Sequence, residues 1–186
     1  APNGAFADKG ETPALTPGGP FSDMEPIFPL IDLPLWPGGE DPAGQFRNAC
    51  HAETWRGGAT YASPSDDGFV ERGLIGERAV MGELTAPLPG GASGRLIDGQ
   101  TLELVLYSGE LESKPFTQIL NGANTALVQS SDGKREVLQF LEAQEIGQNH
   151  WRLSSLLRGQ LGTEAASLNE KPTGTPFILL DGGVQS

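Results

Sequence analysis

An all-β fold, an antiparallel β-barrel or β-sandwich behind a Pro/Gly-rich extended N-terminal arm, is what this sequence predicts. Three observations predict it. The 186 residues include 26 glycines and 15 prolines, a load of turn formers that suits many short strands better than long helices. Apolar residues at positions 102, 104 and 106 alternate with the period of two expected of a strand. No stretch keeps a helical period for about twelve residues. A chain of this length can bury roughly 70 % of its unfolded surface, enough for a core of its own.

Taken in order, residues 1–26 carry Pro2, Pro13, Pro17, Pro20 and Pro26 with Gly4, Gly10, Gly18 and Gly19. No apolar period accompanies them to offset the entropy of ordering, so they are expected to form a linker or draped arm. Residues 27–183 are expected to form one β domain. At its start, residues 27–37 are rich in apolar side chains. Pro29, Pro34 and Pro37 exclude a helix or a central strand, which predicts an extended surface segment pinned by Phe28, Leu33 and Trp36.

Residues 59–63 predict a short strand, closed by the turn cluster Ser63-Pro64-Ser65-Asp66-Asp67-Gly68, with residues 69–75 returning as a hairpin. Residues 101–107 form the clearest strand. Asn121-Gly122 and Ser131-Asp132-Gly133-Lys134 read as turns; the second joins a strand over 125–129 to one over 136–141. Gly147-Gln148-Asn149 links 143–146 to 151–157, and a last strand covers 176–181. Thr163 stands where it could cap one or two helical turns before Pro172.

Charge and residue counts exclude several functions. The net charge is −12 and the pI about 4.5, which argues against nucleic acid and anionic membrane as partners. The longest apolar run, residues 177–180, is far below the ~18–20 residues of a membrane span, and the N-terminus lacks the basic start and apolar stretch of a signal peptide. One cysteine, Cys50, and two histidines, His51 and His150, leave no disulfide framework and no expected metal centre. No phosphate loop and no G-x-S-x-G elbow occurs.

Cys50 and His51 are neighbours on an extended chain and point to opposite faces, predicting a half-buried thiol and an exposed imidazole. No catalytic residue, cofactor or metal is therefore expected, and the chain is read as not an enzyme. Trp151 alternates with Leu153 and belongs in the core. Trp55, before Arg56-Gly57-Gly58, and the turn acids Asp66 and Asp67 are the candidate contacts for a partner or glycan.

The most informative stretch is Trp151–Glu164. An apolar strand with Leu153, Leu156 and Leu157 runs into Arg158-Gly159 and then Gly162-Thr163-Glu164. The glycines permit positive φ, and the five-donor fork of Arg158 can hold loop carbonyls or a neighbouring acid. Thr163 and Glu164 can start a helical turn. These five residues read as a structural corner.

The string Leu156-Leu157-Arg158-Gly159-Gln160-Leu161-Gly162-Thr163-Glu164 resembles the signature of phage tail-tip proteins, and most closely that of the large baseplate "megatron" protein of gene transfer agents. Ordered blocks agree with it: residues 55–63, 105–113, 120–124, 136–140 and 174–181, together spanning roughly 28–182. Where family members often carry a second basic residue and a histidine, Leu161 and Asn169 stand here. The resemblance implies a C-terminal, fibre-binding region of a larger virion protein at the tail tip. Its implied partners are tail fibres or other baseplate proteins, and it supplies no catalytic residue. A carbohydrate- or receptor-binding module for host-surface glycan is the alternative.

Overall fold

The structure, a computed structural model, describes residues 26–33, 46–129 and 132–185. The expected arm up to residue 25, the pin Trp36 and the turn residue Ser131 lie outside them. In chain order the described elements are β1 (Leu30–Asp32), β2 (Phe46–Ala49), β3 (Gly58–Ala62), β4 (Val70–Ile75), β5 (Met81–Leu84), β6 (Leu96–Ile97), β7 (Leu102–Leu106), α1 (Phe116–Leu120), β8 (Thr125–Gln129), β9 (Arg135–Gly147), β10 (His150–Gln160), α2 (Glu164–Ser167), β11 (Pro176–Leu179) and β12 (Val184–Gln185).

The main sheet closes on itself. Its order runs β10-β7-β5-β11-β8-β9, and β9 pairs back onto β10, giving a six-stranded antiparallel barrel to which β6 adds beside the far half of β10. Of the two all-β architectures that the sequence left open, the barrel is the one formed. Closure removes the free edges that an open sheet would carry.

The period of two fills its interior. Leu102, Leu104 and Leu106 of β7, Ala126 and Val128 of β8, Leu138 and Phe140 of β9, and Trp151 and Leu153 of β10 all join one buried cluster. At about 25 cal/mol per Å² of apolar surface removed from water, each large side chain contributes roughly 1.5–3 kcal/mol there. Gly82 on β5 is required by close approach: a Cβ would stand 2.2 Å from the Val105 carbonyl oxygen.

The opposite parity of the same strands builds a second core outside the barrel. Met81, Leu127, Val137 and Ile178 pack with Ile31, Leu33, Ala49 and Val184, the inner face of a small sheet ordered β1-β2-β12. This doubly covered wall explains why β9 is buried on both sides over residues 136–140. The β3–β4 ribbon forms a separate two-stranded sheet.

Several expectations need correction. The strands anticipated at 136–141 and 143–146 are one 13-residue strand, β9, because its polar second half still pairs with β10. Phe28 is 48 % exposed and does not pin the segment; Leu33 is buried as expected, and Ile31 joins it. His51 is buried rather than exposed, held by reciprocal backbone bonds to Ile27 and covered by the Tyr107 ring, with centroids 5.6 Å apart. Thr163 occupies the cap position of α2 but makes no side-chain cap bond.

Candidate functional site

Two places gather chemistry-bearing side chains: the barrel end where β9 begins and β10 finishes, and the outer face shared by the small sheet and the β3–β4 ribbon.

At the barrel end, Glu136 continues the inward parity of Leu138 and Phe140, and Arg158 leaves β10 beyond Leu156. Both are fully buried, as is Lys171 on the loop before β11. Arg158 Nε lies 2.5 Å from Glu136 Oε1 and Nη2 donates to Oε2 at 2.8 Å. Nη1 donates to the Pro89 carbonyl and Gln100 Oε1, both at 3.0 Å, and Nη2 reaches the Ser167 carbonyl at 3.4 Å. All five guanidinium protons thus have acceptors. Lys171 Nζ donates to the Ala166 and Asn169 carbonyls at 2.7 Å and pairs with Glu136 Oε2 at 3.0 Å.

Burial pushes the Glu136 carboxyl upward, but the hydrogen bonds and charge of Arg158, reinforced by Lys171, outweigh it and hold the group below its ordinary value. One anion between two cations, all fully buried, is stable only because every proton and lone pair is engaged.

The rest of the signature builds the corner around this cluster. Gly159 has φ +61°, and a Cβ there would stand 2.9 Å from both Glu164 Cα and Ser93 Cβ. Leu161 and Gly162 follow at φ 55° and 80°, turning the chain into α2. The Thr163 hydroxyl accepts the Val137 N–H at 2.9 Å and donates to the Gln160 carbonyl at 2.6 Å, tying the corner to β9. Glu164 opens α2 facing solvent. The structure therefore brings Arg158, Gly159, Gly162, Thr163 and Glu164 together, and adds Glu136, Lys171 and Gln100.

Sequence reasoning missed those three. The available signal was an acid in phase with Leu138 and Phe140: an inward carboxylate at a strand end demands a buried cation.

Trp55, Asp66 and Asp67 do not converge with the corner. The Trp55 indole N–H donates to the Gly76 carbonyl at 2.9 Å and its ring is half-buried. Asp66 and Asp67 are exposed at the ribbon tip, where Ser65 Oγ bonds Asp67 Oδ1 at 2.8 Å, as a turn requires. Cys50 is buried, which pushes its thiol up. Burial, with Arg78 nearby, pushes His51 down despite a backbone bond with Ala79. Ser108 Oγ lies 3.4 Å from His51 Nδ1. No cluster of three metal-capable side chains occurs among the described residues.

The second place is a surface. Phe28, Leu30, Phe46 and Tyr61 are each about half exposed or more. They line a groove of about 490 Å³ together with Asn48, residues 59–62 of β3, and Arg72. Contiguous exposed aromatic area of this kind marks interaction surfaces.

The fold and its two sites define a class: a small closed antiparallel barrel, locked by a buried ionic cluster, with an apolar-faced sheet and ribbon appended. Residues 79–178, which run from just before β5 into β11, match the family model described as Rcc01698-like, C-terminal. The match covers more than half of the chain, and the chain belongs to that family. No curated protein matches it.

Proposed function

We propose that this chain is a non-enzymatic structural and interaction domain of a phage-like tail tip, of the gene transfer agent baseplate type. It holds a tail fibre or an adjoining baseplate subunit at the face carrying Phe28, Leu30, Phe46 and Tyr61. The observation that carries the reading is that face: four large apolar side chains, about half exposed or more, beside a groove, on a barrel whose interior is filled with side chains. The resemblance of residues 156–164 to the tail-tip signature and the membership of an Rcc01698-like C-terminal family support the setting.

Capture of the purified tail-fibre and baseplate proteins of the same particle on the immobilised chain tests it. Binding that is lost in Phe46→Ser and Tyr61→Ser, with melting behaviour retained, is the expected result. Absence of capture by the folded chain, or capture indifferent to both changes, overturns it. A glycan array run on the same material separates the alternative: glycan binding abolished by Trp55→Ala would make this a receptor-binding module instead. Labelling of the tail tip in electron micrographs of intact particles checks the location.

A further inference from the structure

We infer that the groove beside the ribbon takes its partner by strand addition: an extended segment of a partner protein pairs with the edge of β3 that no described strand occupies. Apolar residues of that segment, at alternate positions, settle on Phe28, Leu30 and Phe46, and a carboxylate meets Arg72. This deepens the proposed interaction role and rests on it.

The geometry of β3 is the first argument. Four consecutive residues, Ala59, Thr60, Tyr61 and Ala62, all line the groove. Successive side chains of a strand point to opposite faces. The pairing with β4 shifts register between Thr60 and Tyr61, but Ala59 and Thr60 before the shift and Tyr61 and Ala62 after it each line the groove with both parities, as a strand does when it presents its edge of backbone N–H and C=O groups. β3 pairs on one side with β4. On its other side no backbone hydrogen bond joins it to any described residue. An edge of this kind is a template for another chain.

The floor is the second argument. Leu30 and Phe46 project from the outer face of the small sheet, opposite to the parity of Ile31 and Ala49, which are buried against the barrel. A strand laid along β3 repeats its side chains about every 6.6 Å on one face, a spacing that suits apolar residues at alternate positions.

Charge is the third. The chain carries 24 acids against 12 lysines and arginines, yet among the described residues no acid lines this groove and Arg72 does. Its guanidinium is held by no hydrogen bond or ion pair with the described residues; the nearby Glu71 instead accepts from the Tyr61 hydroxyl at 3.3 Å. A carboxylate on the incoming strand is the complement.

The test uses the full chain, isotopically labelled, and a soluble peptide of about nine residues with alternating valine and threonine, a central glutamate and lysine ends. Amide shifts confined to residues 58–62 and to the floor are expected. Binding should weaken roughly fivefold in Arg72→Glu and recover when the peptide's glutamate is exchanged for lysine. N-methylation of alternate peptide amides should abolish binding in one register and leave it in the other, a signature that mere apolar adhesion does not give. Shifts elsewhere, or equal tolerance of both methylated registers, overturn strand addition. If the fibre protein is still captured through Phe46 and Tyr61 while the peptide gives no shifts at β3, strand addition fails and the interaction role stands; loss of both removes the two together.

Discussion

The barrel end and the ribbon face treat polar backbone and charge in opposite ways. At the barrel end, three charged side chains are sealed from water and each proton has an acceptor within the chain: Arg158 alone engages a carboxylate, an amide and two carbonyls. At the ribbon, one edge of β3 lacks described backbone partners, and Leu74 and Tyr61 stand 68 % and 56 % exposed. The first arrangement costs desolvation and is tolerated only as a complete set. The second leaves hydrogen-bonding capacity and apolar area for something outside. Membership of the family covers the first region; residues 79–178 include the whole ionic cluster but neither the ribbon nor β1 and β2.

The sharpest way to break that contrast is Glu136→Gln. It keeps the volume but leaves Arg158 and Lys171 as two buried cations without an anion. A loss of about 3–5 kcal/mol is expected, read as a lower urea midpoint at unchanged slope. A change below ~1 kcal/mol would mean that water reaches the cluster.

Arg158→Lys comes next. It keeps the charge but cannot reproduce the fork that spans Glu136, Gln100 and the Pro89 carbonyl. The acceptors left without donors should cost roughly 1–3 kcal/mol. Equal stability of the two proteins in urea titration would show that charge, not the planar donor array, is what the corner needs.

Acid probes the same cluster without mutation. Glu136 is held below the ordinary 4.5 by Arg158 and Lys171, against the upward pull of burial. The folded chain therefore binds this proton less readily than the unfolded chain does. Its contribution is complete above pH 4.5 and is lost as pH falls through the lower folded value. Stability of the wild type should decline below that point, and Glu136→Gln should show a shallower decline. Parallel curves for the two proteins would assign acid sensitivity to other carboxylates.

How far the sequence reached follows the same division. The barrel strands were legible wherever one face is buried and the other is not, as at Leu102, Leu104 and Leu106. The alternation faded in β9, because the small sheet covers the barrel wall there and residues 136–140 are apolar or engaged on both sides. Residues 46–49 and 81–84, now β2 and β5, carry too little alternation over four residues to be read as strands. The corner at Arg158 was legible from its glycines, whereas its partners Glu136 and Lys171 lie 22 and 13 positions away with no local pattern linking them to it. The groove was not legible at all: Phe28 and Phe46 look like core residues until the fold fixes which face the small sheet turns to the barrel.

The smallest expected effect completes the comparison from the ribbon side. Phe46→Ser removes a ring that is 57 % exposed and belongs to neither buried cluster. Changes at such surface positions usually stay within about ±0.5 kcal/mol. The thermal midpoint should hardly move while capture of the partner protein falls away, the reverse of Glu136→Gln, which lowers stability and leaves the outer face intact. The pair forms a double dissociation. A Phe46→Ser protein that melts well below the wild type would place that ring in the structural core and remove it from the binding surface, since a side chain cannot be both required for folding at that level and free to meet a partner.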